Sequence, residues 1–188
     1  MWKTTKLGDI ANISIGKTPP RGDKRYWDKD KDTKNVWLSI ADMNSVVDGF
    51  VSDSKEYISD AGAALFKPVP ANTLIMSFKL SIGKLAFTAC ELRTNEAIAA
   101  LEIKNENQIT KEYLRHFLSS CNWDKIAGDD EKVKGKTLNK AKLKELEIIV
   151  PPLAEQQRIV AKLDAAFAEI DKAIKLNEHR KDNAADAH

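Results

Sequence analysis

The sequence predicts an α+β protein in which a strand-rich body is followed by one long helix. Short apolar runs of strand length, separated by turn residues, recur along the chain up to residue 150. The double proline Pro151-Pro152 then ends the last run, because proline cannot donate a hydrogen bond in a central strand and disfavours helical geometry in the preceding residue. We therefore divide the chain into a body, residues 1–152, and a helical arm, residues 153–188.

The strands of the body are predicted from short apolar segments in chain order. Leu7, Ile10 and Ile13 mark a short first element that is either helix or strand. Residues 16–34 are polar, charged and proline-bearing, which predicts a long loop. The predicted strands that follow are residues 36–40, 56–58, 73–78, 82–88, 97–103 and 146–150.

The helices of the body are predicted where a capping residue precedes an apolar pattern. Ser59-Asp60 can cap residues 61–66, and Thr110 can cap a second helix. The apolar face of that second helix consists of Tyr113, Leu114, Phe117, Leu118 and Cys121. A charged loop is expected at residues 128–136, and a helical turn at residues 139–144.

The arm carries the repeat of a coiled-coil helix. Its apolar seam recurs at steps of four, three, four and three residues and consists of Ile159, Leu163, Ala166, Ile170 and Ala173. A helix over residues 154–182 would be roughly 40 Å long, longer than a small body is wide. An amphipathic helix folded back on its own body is the alternative. The length and the sharp proline boundary favour pairing with another helix.

The charge of the chain is unevenly distributed. Thirty basic and 28 acidic residues leave a net charge of +2. Residues 132–144 contain six lysines and no acidic residue, and residues 17–34 carry a local charge of +3, whereas the arm is nearly balanced. A basic excess confined to the body is expected for a polyanionic partner, and solvated lysine-rich loops are the plain alternative.

Several catalytic motifs are excluded by their surroundings. Gly16-Lys17-Thr18 resembles the end of a P-loop, but Ala11 replaces the required glycine and two prolines follow. Glu102-Ile103-Lys104 resembles part of a nuclease site, but the sequence lacks a suitable second acid upstream. The three histidines have no neighbours at metal-ligand spacing. We therefore expect no catalytic residues, no metal site and no cofactor.

The location of the protein is predicted from features that the sequence lacks. The N-terminal residues contain no apolar signal-peptide region, and no run approaches membrane-spanning length. Cys90 and Cys121 form no CxxC pair, as expected for free thiols in a reducing compartment. We therefore expect a cytoplasmic protein without a membrane partner.

Six short motifs together resemble a known family. They are KLGDI at residues 6–10, GKTP at 16–19, WLSIADM at 37–43, SIGK at 81–84, TNEA at 94–97 and PPLAEQQRIV at 151–160. In this order they resemble the DNA-specificity (S) subunit of type I restriction-modification enzymes, from about residue 4 to residue 175. The resemblance implies a target recognition domain followed by one spacer helix.

The resemblance also implies partners. Family members place methyltransferase (M) subunits, and with a restriction or motor (R) subunit the nuclease, on a bipartite site in double-stranded DNA. They usually carry two recognition units, so this chain is either a natural half-subunit or a piece of a longer chain. A half-subunit would form a homodimer through the arm seam. Gln156, Gln157 and Arg158, near the start of the arm, are candidates for docking the M subunit.

Basic residues of the body are the candidate DNA contacts. We expect one basic surface formed by residues 17–27, 79–84 and 132–136, because lysines neutralise phosphates whereas arginine and aromatic side chains can reach bases. The candidates are Lys17, Arg21, Lys24, Arg25, Tyr26, Lys79, Lys84, Lys134 and Lys136. A protein-binding adaptor that dimerises through the arm is the alternative function, and a nuclease is the third.

Overall fold

The structure is a computed structural model that describes residues 2–44, 46, 49–79, 81–127, 131–132, 135–136 and 138–185, without the side chains of residues 131, 132, 135, 136 and 179–185. The helices are α1 Leu7–Ile10, α2 Asp60–Ala63, α3 Lys111–Ser119, α4 Trp123–Ala127, α5 Lys140–Lys144 and α6 Leu153–Ala185, with 3-10 turns at Lys24–Tyr26 and Asp42–Asn44. The strands are β1 Lys3–Lys6, β2 Ala11–Ile15, β3 Trp27–Asp28, β4 Val36–Leu38, β5 Phe50–Val51, β6 Glu56–Ile58, β7 Leu74–Ser77, β8 Leu85–Thr88, β9 Arg93–Thr94, β10 Ile98–Ile103, β11 Glu131–Lys132, β12 Gly135–Lys136 and β13 Glu147–Val150.

The strands form two larger sheets. The central sheet has the order β2-β10-β7-β8-β5, and the second sheet has the order β3-β6-β4-β9. Most neighbouring strands are antiparallel, whereas β4 with β9 and β5 with β8 are parallel. A separate antiparallel pair, β1 with β13, places Thr5 opposite Ile148. The first and last strands of the body therefore lie together, next to the start of α6.

The middle of the central sheet is buried on both faces. Along β7, Leu74 and Met76 enter one core cluster, whereas Ile75 enters another. The first cluster includes apolar residues of α1, α3 and α5, and the second includes Val36 and Leu38 of β4. Alternate residues of a strand point to opposite faces, so helices cover one face of this sheet and the second sheet covers the other. The fold is α+β, as the sequence predicts.

The predicted helix caps are present. The Ser59 hydroxyl accepts a hydrogen bond from the Gly62 amide at 3.1 Å, and the Thr110 hydroxyl accepts one from the Tyr113 amide at 3.2 Å. Asn139 caps α5 in the same way, accepting from the Lys142 amide at 2.8 Å. These local bonds satisfy amides that a helix leaves unpaired at its start.

Other elements differ from the sequence prediction. The expected loop over residues 16–34 contains a 3-10 turn and strand β3, and helix α4 lies where no element was expected. The loop expected at residues 128–136 includes strands β11 and β12, and its other residues lie outside the described part of the chain. Strand β3 pairs with the distant strand β6, whereas β11 and β12 pair with each other.

The junction between body and arm is held by Gln156, whose side chain is fully buried. Its amide nitrogen donates to the carbonyl oxygens of Gln108 and Pro151, at 2.9 and 2.8 Å. Its amide oxygen accepts from the Thr110 amide at 2.9 Å. The prediction that Gln156 belongs to a docking surface is therefore wrong, because the side chain is buried and hydrogen-bonded inside the protein.

Among the described side chains, helix α6 contacts the body between Gln156 and Phe167. Ile159 and Val160 are half-buried and pack against the core cluster of the body. Further along, the Asp164 carboxylate accepts a hydrogen bond at 2.8 Å from the buried His116 of α3, and the Phe167 ring stacks on His116 at 6.0 Å. Residues 161–178 are all exposed. Ile159 thus contacts its own body, whereas the rest of the predicted seam is exposed.

The junction gives a first testable prediction. Replacing Gln156 by alanine should lower the free energy of unfolding by about 2 kcal/mol or more, because the buried amide of Thr110 and two carbonyl groups lose their partner. Urea unfolding of the full chain measures this change. The matched control is Gln157→Ala, since Gln157 is exposed and should change stability by about 0.5 kcal/mol or less. Equal effects of the two substitutions would contradict the proposed role of Gln156.

Candidate nucleic-acid interface

The loop over residues 16–27 is held against the body by backbone bonds. The Gly16 and Lys17 amides donate to the carbonyl oxygens of Ile98 and Thr94, at 3.3 and 2.8 Å. A Cβ atom at position 16 would lie 1.9 Å from the Thr94 carbonyl oxygen, so only glycine permits this close approach. Two indole N–H groups also bind the loop, Trp37 to the Lys17 carbonyl at 3.0 Å and Trp27 to the Pro20 carbonyl at 3.1 Å.

Arg21 is packed into the same loop. Its guanidinium carbon lies 4.1 Å from the centre of the Trp27 ring and 4.8 Å from that of Trp37. Both terminal nitrogens of Arg21 donate to the carboxylate of Glu56 on β6, one of them at 3.0 Å. The two tryptophan rings meet edge to face at 5.2 Å. Stacking and a bidentate carboxylate therefore fix the direction of this arginine.

The neighbouring Arg25 has a carboxylate partner of its own. It donates to both oxygens of Asp23, at 3.0 and 2.6 Å, and these bonds hold the pKa of Asp23 below its usual range. The Arg25 guanidinium also lies 5.6 Å from the Tyr26 ring. Within the part of the chain that the structure describes, Lys17 and Lys24 have no carboxylate at ion-pair distance. The arginines of this loop are thus oriented, whereas its lysines are free.

The turn between β7 and β8 is shaped by Ser77 and Gly83. The Ser77 hydroxyl donates to the Ser81 carbonyl and accepts from the Lys84 amide at 3.0 Å. Gly83 has a positive φ of 91°, and a Cβ there would lie 2.3 Å from Trp123 of α4. Lys84 donates to the side-chain oxygen of Asn44. The indole of Trp123 therefore supports a turn whose backbone requires glycine.

The Glu96 carboxylate lies beside the loop. The Thr18 hydroxyl donates to it at 2.5 Å. This hydrogen bond is the main reason that the pKa of Glu96 is lowered, and the positive charges of Lys79 and Arg21 lower it further. Thr18 is thus bonded directly to Glu96, whereas Arg21 and Lys79, far apart in the sequence, both act on this carboxylate through their charge.

The third basic segment is described only in part. The Leu138 amide donates to the Phe78 carbonyl at 3.1 Å, so the chain that follows β12 runs beside the residue preceding Lys79. Lys134 lies outside the described residues, and for Lys136 only the strand backbone is described. The predicted contacts at these two lysines remain predictions.

The described part of the chain contains neither a metal-binding cluster nor a membrane-spanning helix. No group of three or more histidine, cysteine, aspartate or glutamate residues there could hold a metal ion. No described helix is both long and apolar enough to cross a membrane. Sequence reasoning gave Gln156 the wrong role and did not single out Glu96. The signal for Gln156 was its helical spacing of three and four residues from Ile159 and Val160, which places it on the buried face.

The family of the chain follows from comparison with known proteins. The sequence model of the type I restriction modification DNA specificity domain matches residues 1–181. The chain belongs to this family. It is 25% identical over 185 residues to the MjaIX specificity subunit of Methanocaldococcus jannaschii, and 29% identical over 171 residues to the EcoR124I/EcoR124II specificity subunit of Escherichia coli. These alignments cover 94% and 87% of this specificity-domain chain, but 40% of each relative.

Solved structures show the same fold. The HsdS subunit from Thermoanaerobacter tengcongensis superposes with a TM-score of 0.68 at 19% identity, over 91% of this chain and 38% of that one. The S subunit from M. genitalium superposes with a TM-score of 0.62 at 14% identity, over 92% of this chain and 40% of that one. This specificity-domain chain therefore spans about 40% of the length of the relatives it matches.

The packing of Arg21 leads to a second prediction. Arg21→Ala should lower the free energy of unfolding by about 1–2 kcal/mol, because the substitution removes an ion pair and two cation–π contacts at a partly exposed site. Lys24→Ala removes the same charge from the same loop and should cost about 0.5 kcal/mol or less. Urea unfolding compares the two variants. If they unfold at the same denaturant concentration, Arg21 does not stabilise the loop.

Proposed function

We propose that this chain is a DNA recognition unit of a type I restriction-modification complex and has no catalytic activity of its own. The family match over residues 1–181 carries this proposal. In it, residues 1–152 form the target recognition domain, which binds double-stranded DNA in a sequence-specific manner. Residues 153–188 form the spacer helix. The recognition unit positions the M subunit, and with it the R subunit, on a bipartite target.

The basic segments around Glu96 support binding to duplex DNA. Lys17 precedes Thr18, which donates to Glu96, and the charge of Lys79 acts on the same carboxylate, so the two lysines contribute to one local field. Lysine contacts to phosphates give affinity without sequence choice. Arg21 and Arg25 are held by carboxylates, so they can present fixed donors to base edges at the cost of weakening those ion pairs.

The arm supports a homodimer with the seam at its centre. Each residue of an α-helix turns by about 100°, so Gln156, Val160, Asp164 and Phe167, which contact the body, lie on a stripe centred about 100° from the seam. The seam residue Ile170 is 53% exposed and Leu163 is 36% exposed, whereas Ile159 at the start of the seam packs against the body. The body therefore leaves the seam free from Leu163 onwards, and two copies can pair antiparallel about a two-fold axis. Two identical readers in opposite orientation would read an interrupted palindrome.

The lysines lead to a third prediction. Lys17→Ala with Lys79→Ala should weaken binding to random-sequence duplex DNA and lower the slope of log affinity against log salt by about 0.9 for each lost phosphate contact. The control is Lys162→Ala with Lys175→Ala, which removes two charges from the arm. Fluorescence anisotropy over a salt series measures both variants. A wild-type chain without salt-sensitive DNA affinity would favour the protein-binding adaptor instead.

The seam leads to a fourth prediction. Ile170→Glu should convert the dimer to a monomer, because it places a charge at the centre of the apolar contact. Leu176→Glu is the matched control, since Leu176 is 62% exposed but lies about 100° away from the seam. Light scattering at micromolar concentration reports the mass. A wild-type monomer, or a dimer unaffected by Ile170→Glu, would contradict the proposed pairing.

A further inference from the structure

A second basic feature lies outside the surface around Glu96. A groove of about 870 Å³ runs between residues 21–30 and strand β6, with Trp27 and Tyr57 in its wall. Lys24, Lys29 and Lys55 line the groove together with Arg21. Lys29 and Lys55 are not among the DNA contacts expected from the sequence. Arg21 lines this groove and lies three residues after Thr18, which donates to Glu96, so the two basic features adjoin along one loop.

The groove contains three lysines without an acidic partner. Arg21 is paired with Glu56, so the other charged lining residues are Lys24, Lys29, Lys55, Asp28 and Asp30. Among the described residues, none of these three lysines has a carboxylate at ion-pair distance. The Asp28 carboxylate accepts from the Thr33 amide and the Thr33 hydroxyl, both at 2.7 Å. Three ammonium groups therefore share the groove with two carboxylates, one of which is hydrogen-bonded to Thr33.

Each of the two aromatic rings of the groove has a cation over one of its faces. The Arg21 guanidinium lies over the Trp27 ring at 4.1 Å, and the Lys31 ammonium lies over the Tyr57 ring at 4.8 Å. A protein that binds unpaired bases offers free aromatic faces for stacking. With each ring already carrying a cation on one face, the wall suits a charged ligand better than a stacked base.

At Gly22, the wall of the groove is formed by backbone without a side chain. A Cβ atom built at Gly22 would meet nothing within 4 Å, and Gly22 does not have a positive φ. A ligand can therefore approach the main chain closely at this point. Backbone amides and free lysines are common donors to the phosphate and sugar oxygens of DNA.

We propose that this groove holds the sugar–phosphate backbone of duplex DNA, with Lys24, Lys29 and Lys55 at the phosphates and Gly22 leaving room for the strand. This proposal rests on the proposed DNA-binding function and adds a second contact to it. It predicts that the DNA footprint extends from the surface around Glu96, past Arg21, to strand β6.

Substitutions at Gly22 test the groove without removing a protein contact. Gly22→Glu and Gly22→Gln add side chains of the same size into open space, so both variants should fold like the wild type. Gly22→Glu should bind random-sequence duplex about tenfold more weakly at low salt than Gly22→Gln, because only the glutamate repels the phosphates. Equal affinity of the two variants and the wild type would overturn the proposal.

The lysines provide an independent measurement. Lys29→Ala with Lys55→Ala should lower the salt slope by about 1.8, whereas Lys162→Ala with Lys175→Ala should leave it unchanged. Anisotropy with the full chain measures each slope, and thermal unfolding confirms that each variant is folded. If the wild type binds duplex DNA and the Lys29 and Lys55 substitutions change nothing, the groove is overturned and the proposed function stands. If the wild type shows no salt-sensitive binding, both are overturned.

Discussion

The direction of the arm depends on one buried amide. Gln156 bonds to the backbone at three places, at the start of α3, in the segment before it and at the end of β13. A side chain that satisfies three buried backbone groups cannot rotate without leaving them unpaired. His116 and Phe167 add a second contact two to three turns further along. The arm therefore leaves the body at a defined angle, and a partner bound to the arm would have a defined orientation towards the recognition domain.

The central sheet leaves little room for a site inside the body. Its middle strands β7 and β10 are covered on both faces, and their alternate residues enter two separate cores. A ligand as large as duplex DNA must then be met by the segments outside the sheet. Those segments are ordered by side chains that the core supplies, as when the buried Trp37 donates to the Lys17 carbonyl. The core thus determines where the basic loops lie.

Sequence patterns predicted what depends on neighbouring residues. The N-caps at Ser59 and Thr110, the alternation in the strands and the break at Pro151-Pro152 are all local signals. The pairing of β1 with β13 and the bonds of Gln156 join residues far apart in the chain, so no local pattern encodes them. For the candidate site, the sequence indicated the basic segments. It could not show that Thr18 donates to Glu96 or that the charges of Arg21 and Lys79 act on the same carboxylate.

Among the described residues, the carboxylates near the basic loop pair with Arg21 and Arg25 and not with Lys17 or Lys24. Asp23, Glu56 and Glu96 accept hydrogen bonds from groups of the same loop, and these bonds lower the pKa values of Asp23 and Glu96. An arginine held in this way loses less side-chain entropy when it meets a base, because its direction is already set. The lysines have no such partner in the described residues and keep their full charge for phosphates. The unpaired charge of the surface and the fixed direction of its arginines therefore depend on different residues.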